Sequence, residues 1–175
     1  MGKTLVRLVL AVVAVIFGLA ACDRIWPEAA LKAGARADRI VVYKNERVLE
    51  LMAGDVTLKR YTISLGREPV GAKQREGDGR TPEGRYRIDY RNPASGYHLA
   101  LHISYPDAKD RARAHNAGVS SGGDIMIHGM RNGYGWIGPL HRLVDWTNGC
   151  IAVTDTEMDE IWRAVANGTE IEIRP

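Results

Sequence analysis

Asp124-Ile125-Met126-Ile127-His128-Gly129, followed by Asp145-Trp146-Thr147-Asn148-Gly149-Cys150-Ile151-Ala152-Val153, is the stretch on which the reading of this chain turns. The first piece is a short apolar strand running directly into a histidine and a glycine. Such strand-to-loop junctions present side chains to a cleft. In the second piece, Gly149 lets the backbone turn and leaves the Cys150 sulfur beside free backbone N–H groups, which is what an oxyanion needs. A buried cysteine is otherwise an ordinary small hydrophobe. A thiol of pKa about 8.5 is only a few per cent thiolate at neutral pH, and an imidazole that takes its proton turns it into a nucleophile. Sequence alone does not bring Cys150 and His128 together; the fold has to.

Outward from this stretch the chain reads as strands. Ile40-Val41-Val42-Tyr43 is β-branched and aromatic, Lys44-Asn45-Glu46 is a polar turn, and Arg47–Met52 continues as a partner. After Gly54-Asp55, Val56–Leu65 alternates as a third strand, completing a β-meander. Residues 66–85 hold Gly66, Pro69, Gly71, Gly77, Gly79, Pro82 and Gly84, a density that predicts a surface loop. Tyr86–Tyr90 and Tyr97–Tyr105 read as further strands, and residues 106–124 as a charged loop with a helical turn. Thr154 and Glu157 form a capping box, with Met158, Ile161, Trp162 and Val165 on one helical face. Asn167-Gly168 is the expected helix stop, and Thr169–Ile173 alternates as a last strand. The expected fold is mostly β, of mixed sheets, with one or a few helices.

The chain has 175 residues, 24 Lys+Arg against 21 Asp+Glu, and two cysteines. That length suits one domain with a real core and no need of disulfide staples. A net charge of +3 with no basic stripe sets nucleic acid aside as a partner. Residues 1–21 carry Lys3 and Arg7, then an apolar run from Leu8 to Leu19 that is short for a membrane span. Leu19-Ala20-Ala21-Cys22 resembles the lipobox of bacterial lipoproteins, which implies lipidation of Cys22 and attachment at a membrane. The expected organisation is a signal peptide over 1–21, a tether over 22–38 and a catalytic domain over 39–175, exported and held at the periplasmic face of the inner or outer membrane. Without residues 1–21 the charges nearly balance, at 22 basic and 21 acidic.

Three ordered motifs carry a wider resemblance. Ile127-His128-Gly129, then Thr147-Asn148-Gly149-Cys150-Ile151, and upstream Asp78-Gly79-Arg80-Thr81-Pro82-Glu83-Gly84-Arg85-Tyr86-Arg87-Ile88 together resemble the L,D-transpeptidase catalytic-domain family. The resemblance runs from about Arg39 to Pro175 and implies that family's mixed β-sheet sandwich. It implies attack on the bond after the L-centre of meso-diaminopimelate in a peptidoglycan stem tetrapeptide, release of D-Ala, and an acyl-enzyme on cysteine. An amine acceptor then gives a crosslink or an attached envelope protein; water gives carboxypeptidase or amidase activity. Carried onto this chain, Cys150 is the nucleophile, His128 the base, and the backbone N–H groups around Asn148, Gly149 and Cys150 the oxyanion hole, with no metal and no cofactor.

Two positions depart from the family pattern. Asn148 stands where a histidine is common, and Ala152 where Arg or Asn is common, which bears on donor and acceptor preference. Asn148 forms hydrogen bonds but carries no proton at neutral pH. Arg131 and Arg142 are candidates for binding a substrate carboxylate, His141 for replacing the missing histidine, and Trp136 and Trp146 for walling the cleft. Asp145 is expected to cap a turn. His98 and His102 fall on one face of an expected strand, but no third metal ligand accompanies them. A sortase-like enzyme would want an arginine shortly after the cysteine, which Ile151-Ala152-Val153-Thr154 does not offer. The remaining alternative is a wall-binding lipoprotein without turnover, against which the presence of both Cys150 and His128 argues.

Overall fold

Residues 29–175 are described by a computed structural model. The expected signal peptide, Cys22 and the first part of the expected tether lie outside the described residues. In chain order the elements are β1 (Ala37–Tyr43), β2 (Val48–Ala53), β3 (Val56–Thr62), β4 (Gly84–Asn92), β5 (Ala100–Ile103), α1 (Ala108–Asn116), β6 (Met126–His128), a 3₁₀ segment (Gly135–Leu143), β7 (Ile151–Ala152), α2 (Asp155–Ala164) and β8 (Val165–Arg174). The expectation of a mostly β domain holds.

The meander forms as read, β2 pairing antiparallel with both β1 and β3. The last strand then enters the middle of the sheet: β8 runs parallel to β1 and antiparallel to β4. From β4 the sheet continues through β5 and β6 to β7, in the order β3-β2-β1-β8-β4-β5-β6-β7. β4 belongs to both halves, and its register shifts between Ile88 and Tyr90 as it changes partner from β8 to β5. A bulge of this kind bends a strand and raises its twist, so the sheet curls.

The curl brings the far edges of the sheet together. Just past β3, Ser64 makes an antiparallel bridge to Ala152 of β7, with N–H to O distances of 3.0 and 2.8 Å in the two directions. Two residues on, Gly66 bridges Thr147; Arg67 N–H reaches Thr147 O at 3.1 Å and Thr147 N–H reaches Leu65 O at 3.1 Å. Edge N–H and C=O groups are thus paired within the domain instead of being left open to another chain. Inside lie Ile40, Leu49, Leu51, Ile88, Leu101, Ile127 and Ile151, all fully buried, and α2 adds Met158 and Ile161 from its apolar face.

The largest departures of the helix and strand limits from the sequence reading are three. The charged segment after residue 106 is a nine-residue helix, α1, because Asp107 and Asp110 form a reciprocal capping box. The strand expected over Tyr97–Tyr105 shrinks to Ala100–Ile103, since His98 has φ 61° and breaks the extended backbone. Asn167-Gly168 does not stop α2, which ends at Ala164; it lies in β8 where the register against β1 shifts.

The Gly/Pro-rich loop over 66–85 is held by two buried lysines. Lys44 Nζ donates to Gly71 O, Thr81 O and Glu83 Oε1 at 2.6, 3.0 and 2.8 Å. Lys73 Nζ meets Asp78 Oδ1 at 2.8 Å, and the Asp78 carboxylate also accepts the N–H groups of Gln74, Arg75 and Arg80. Burial alone would raise the Asp78 carboxyl, but Lys73 and these three donors outweigh it and hold the pKa at about 2, below the ordinary 3.8. A carboxyl depressed on folding contributes stability that is fully present above its unfolded pKa and lost as pH falls through its folded one. Unfolding measured by denaturant should therefore lose about 2 kcal/mol from this group between pH 4 and pH 2. Asp78→Asn should flatten that part of the pH dependence while lowering stability at pH 7.

Candidate active site

β6 and β7 are parallel neighbours with Ile127 opposite Ile151 and His128 opposite Ala152. Cys150, one residue ahead of Ile151, therefore comes level with Met126. Side chains two apart on a strand share a face, so Cys150 and His128 project to the same side of the sheet as a diagonal pair. Both line one cleft of about 660 Å³, together with Arg67, Ser95, Tyr97, Asp124, Trp146 and Asn148 among others.

The turn that carries Cys150 is built from glycine and threonine. Gly149 has φ 129°, and a Cβ there would sit 2.6 Å from Arg80 O. Thr147 Oγ1 accepts the Gly149 N–H at 3.1 Å and donates to Cys150 O at 2.7 Å, closing the turn on itself. This takes Gly149 out of the expected set of oxyanion donors. The N–H groups of Asn148 and Cys150 carry no hydrogen bond among the described residues, and they remain available.

His128 is almost fully buried beneath Tyr97, whose ring lies 4.6 Å away between centroids, with Trp146 edge-on at 5.8 Å. Its Nδ1 is 2.7 Å from Gly129 O, a contact that needs a proton on Nδ1 and leaves the Nε2 lone pair free to accept one. Burial pushes the imidazole below its ordinary 6.5 although the Gly129 bond works the other way. Burial likewise pushes the Cys150 thiol above its ordinary 9.0. At rest the pair is a neutral thiol and a neutral imidazole, and the thiol donates to Asp124 O at 3.5 Å.

Most of the other sequence candidates fall elsewhere. Arg142 is buried and ion-paired with Glu157 at 2.5 Å, so it does not reach the cleft. Arg131 lies over the Tyr134 ring in a neighbouring apolar groove of about 510 Å³. His141 lines that groove too; it is buried, with Nδ1 3.1 Å from Ser64 Oγ, and its pKa is pushed down to about 4 by burial and by Arg142. Trp136 stands out from the 3₁₀ segment with 79% of its surface exposed and walls neither cavity, whereas Trp146 walls both. Asp145 ties Arg47 to Leu65 N–H, at 2.7 and 2.8 Å. His98 pairs with Asp159 and His102 with Asp89, and no group of three or more metal-ligating side chains occurs among the described residues.

Sequence reasoning missed Tyr97, Arg67 and Asp124. Tyr97 comes from the β4–β5 loop, which Asn132 sews to the segment after His128 through Ser95 O and His98 N–H at 3.1 and 2.8 Å. Arg67 arrives through the edge bridge described above. Neither has a local motif. Asp124 did carry a signal, as the residue that opens the His128 strand.

A thiol and an imidazole facing one cleft of a curled mixed sheet define a class of domain suited to cysteine acyl transfer. The chain belongs to the L,D-transpeptidase catalytic domain (YkuD) family, whose profile matches residues 37–173. It is 33% identical over 133 residues to YafK of Escherichia coli K12, covering 72% of this chain and 46% of that protein. The chain thus spans about half the length of the curated relatives it matches. Among solved structures it resembles the helical cell shape determining protein Pgp2 of Campylobacter jejuni, with TM-score 0.60 and 24% identity over 77% of this chain and 46% of that one. It also resembles an L,D-transpeptidase of Mycobacterium smegmatis, with TM-score 0.52 and 13% identity over 78% and 58%. At these identities the two structures speak for the fold.

The segment after His128 is pinned by the first residue of α2. Asp155 Oδ1 accepts Met130 N–H at 2.7 Å, and its carboxylate fills the space that a Cβ on Gly129 or Gly135 would need, at 2.7 and 2.2 Å. Asp155→Ala should keep the fold, lower stability by about 1–2 kcal/mol, and speed hydrogen exchange at Met130 relative to the core strands. Unchanged exchange there would remove Asp155 as the pin.

Proposed function

We propose that this protein is a cell-envelope acyltransferase that forms a thioester on Cys150 with peptidoglycan stem peptides, His128 serving as base. The observation that carries the reading is that Cys150, just ahead of β7, lies diagonally across from His128 of the parallel strand β6, both lining one cleft. Family membership supports the chemistry, and the apolar N-terminal run with Cys22 supports export and lipid attachment.

The steps follow from the groups present. Rotation of the Cys150 side chain away from Asp124 O lets His128 Nε2 take the thiol proton as Sγ attacks the donor carbonyl. The oxyanion is held by the Asn148 and Cys150 N–H groups. When the C–N bond breaks, the imidazolium returns its proton to the departing D-Ala amine, leaving a thioester and a neutral imidazole. An amine or water then attacks, His128 takes its proton, and that proton goes back to Sγ as the thiol leaves. An amine gives a crosslink or an attached envelope protein; water gives trimming or release.

Incubation of the full chain with purified muropeptides should release D-Ala or exchange it. Cys150→Ala should abolish this, and His128→Gln should lower it by about 10²–10⁴-fold. Equal turnover by wild type and Cys150→Ala would refute the assignment. Since the imidazole is depressed and the thiol raised, kcat/KM should fall only below pH 6.5 on the acid side and hold to beyond pH 9. A rise with its midpoint between pH 7 and 8 would contradict the resting state described.

A further inference from the structure

Two charged side chains line the catalytic cleft, Arg67 and Asp124, and they have opposite signs. The other charges near it are matched: Lys73 by Asp78, Arg142 by Glu157, Arg47 by Asp145. Neither Arg67 nor Asp124 forms an ion pair among the described residues, with each other or with anything else. Arg67 is held through its side chain and Asp124 through its backbone. Arg67 follows the Gly66–Thr147 bridge, and its Nη2 donates to Asn148 Oδ1, leaving the rest of the guanidinium fork open to the cleft. Asp124 has φ 53°, a conformation that costs a non-glycine residue energy and that clusters at ligand sites. Its own carbonyl receives the Cys150 thiol, and the residue lines the same cleft as the nucleophile.

We infer that Arg67 and Asp124 together bind a zwitterionic amino-acid centre of the substrate, Arg67 taking its carboxylate and Asp124 its ammonium. The inference rests on the acyl-transfer reading for the identity of the substrate. In a stem peptide containing meso-diaminopimelate, the centre remote from the attacked carbonyl carries a free carboxylate and a free ammonium on one carbon. It is joined to the reacting centre by three methylenes. A cleft with one unmatched cation and one unmatched anion beside the nucleophile fits that group. A peptide with a lone ammonium, or with its carboxylate amidated, satisfies only half of it.

The pairing also gives Asn148 a use. Where a histidine is common in the family, this chain has a side chain whose amide oxygen holds Arg67 by one nitrogen. Guanidinium and carboxylate planes match as a fork, so fixing one edge of Arg67 orients the other toward the carboxylate. Asp124 has a second consequence. Its charge is one of the causes that raise the Cys150 thiol, after burial. A substrate ammonium bound to Asp124 offsets that charge, so the correct ligand eases deprotonation of the nucleophile as it binds.

Calorimetric titration of the full-length Cys150→Ala protein tests this without requiring turnover. The probes are a meso-diaminopimelate tetrapeptide, the same peptide with the remote carboxylate amidated, and the L-lysine analogue that lacks it. Adding Arg67→Gln should weaken binding of the free-acid peptide about five- to tenfold and change the other two by less than about twofold. Adding Asp124→Asn should weaken all three, since all retain the ammonium. Equal weakening of the free-acid and amidated peptides by Arg67→Gln would overturn the inference, because Arg67 would then read a different carboxylate. So would unchanged affinity in both variants, or no binding of any peptide. Wild-type protein that binds with this pattern but never releases D-Ala would refute the acyl-transfer reading and leave the binding pair standing.

Discussion

Three backbones meet behind the candidate nucleophile with no room for a side chain, and the site depends on that meeting. A Cβ on Gly66 would lie 2.0 Å from Gly79 O and 3.0 Å from Gly149 Cα, and one on Gly149 would lie 2.6 Å from Arg80 O. Real Cβ contacts do not come so close, so glycine is what lets the strand leaving β3, the Asp78 loop and the Cys150 turn pack against one another. The bridges Ser64–Ala152 and Gly66–Thr147 exist because these backbones reach each other. They close the curled sheet, set Cys150 level with Met126, and deliver Arg67 to the cleft.

Much of the fold was legible because it rests on local pattern. The β1–β3 meander, the Thr154–Glu157 capping box and the final alternating strand follow from residues near one another in the chain. What was not legible depends on distant partners. Nothing near β8 says that it will insert between β1 and β4. The strand expected at Tyr97 fails because His98 takes a positive φ, with its N–H bonded to Asn132 Oδ1, more than thirty residues away. Asn167-Gly168 looked like a helix stop because the same pair also suits a strand irregularity.

The site divides in the same way. Cys150 and His128 stood out because each adjoins one end of a short apolar strand beside a glycine, and the fold does bring them to one cleft. Of the basic and aromatic candidates between them, Trp146 reaches the cleft and the others do not, because proximity in sequence is not proximity in space. Arg142 serves Glu157, Arg131 rests on Tyr134, and Trp136 points outward. The cation that reaches the cleft comes from the other end of the curled sheet. Its delivery required the edge bridge, which no local motif announces.

The resting site holds its reactive groups in their neutral forms. Burial disfavours both the thiolate and the imidazolium, and no hydrogen bond joins Cys150 to His128 before substrate arrives. Such a thiol is quiet toward adventitious electrophiles; in the proposed reaction a bound carbonyl draws it from Asp124 O toward the imidazole side. In the proposed reaction it is therefore Cys150 itself that takes the acyl group. Rapid quenching of wild-type protein with a stem tetrapeptide, followed by intact mass measurement and peptide mapping, tests it most directly. The account predicts a transient increase equal to the donor less D-Ala, confined to the peptide that contains Cys150. Release of D-Ala with no adduct at any quench time, or an adduct mapped to another residue, would contradict it.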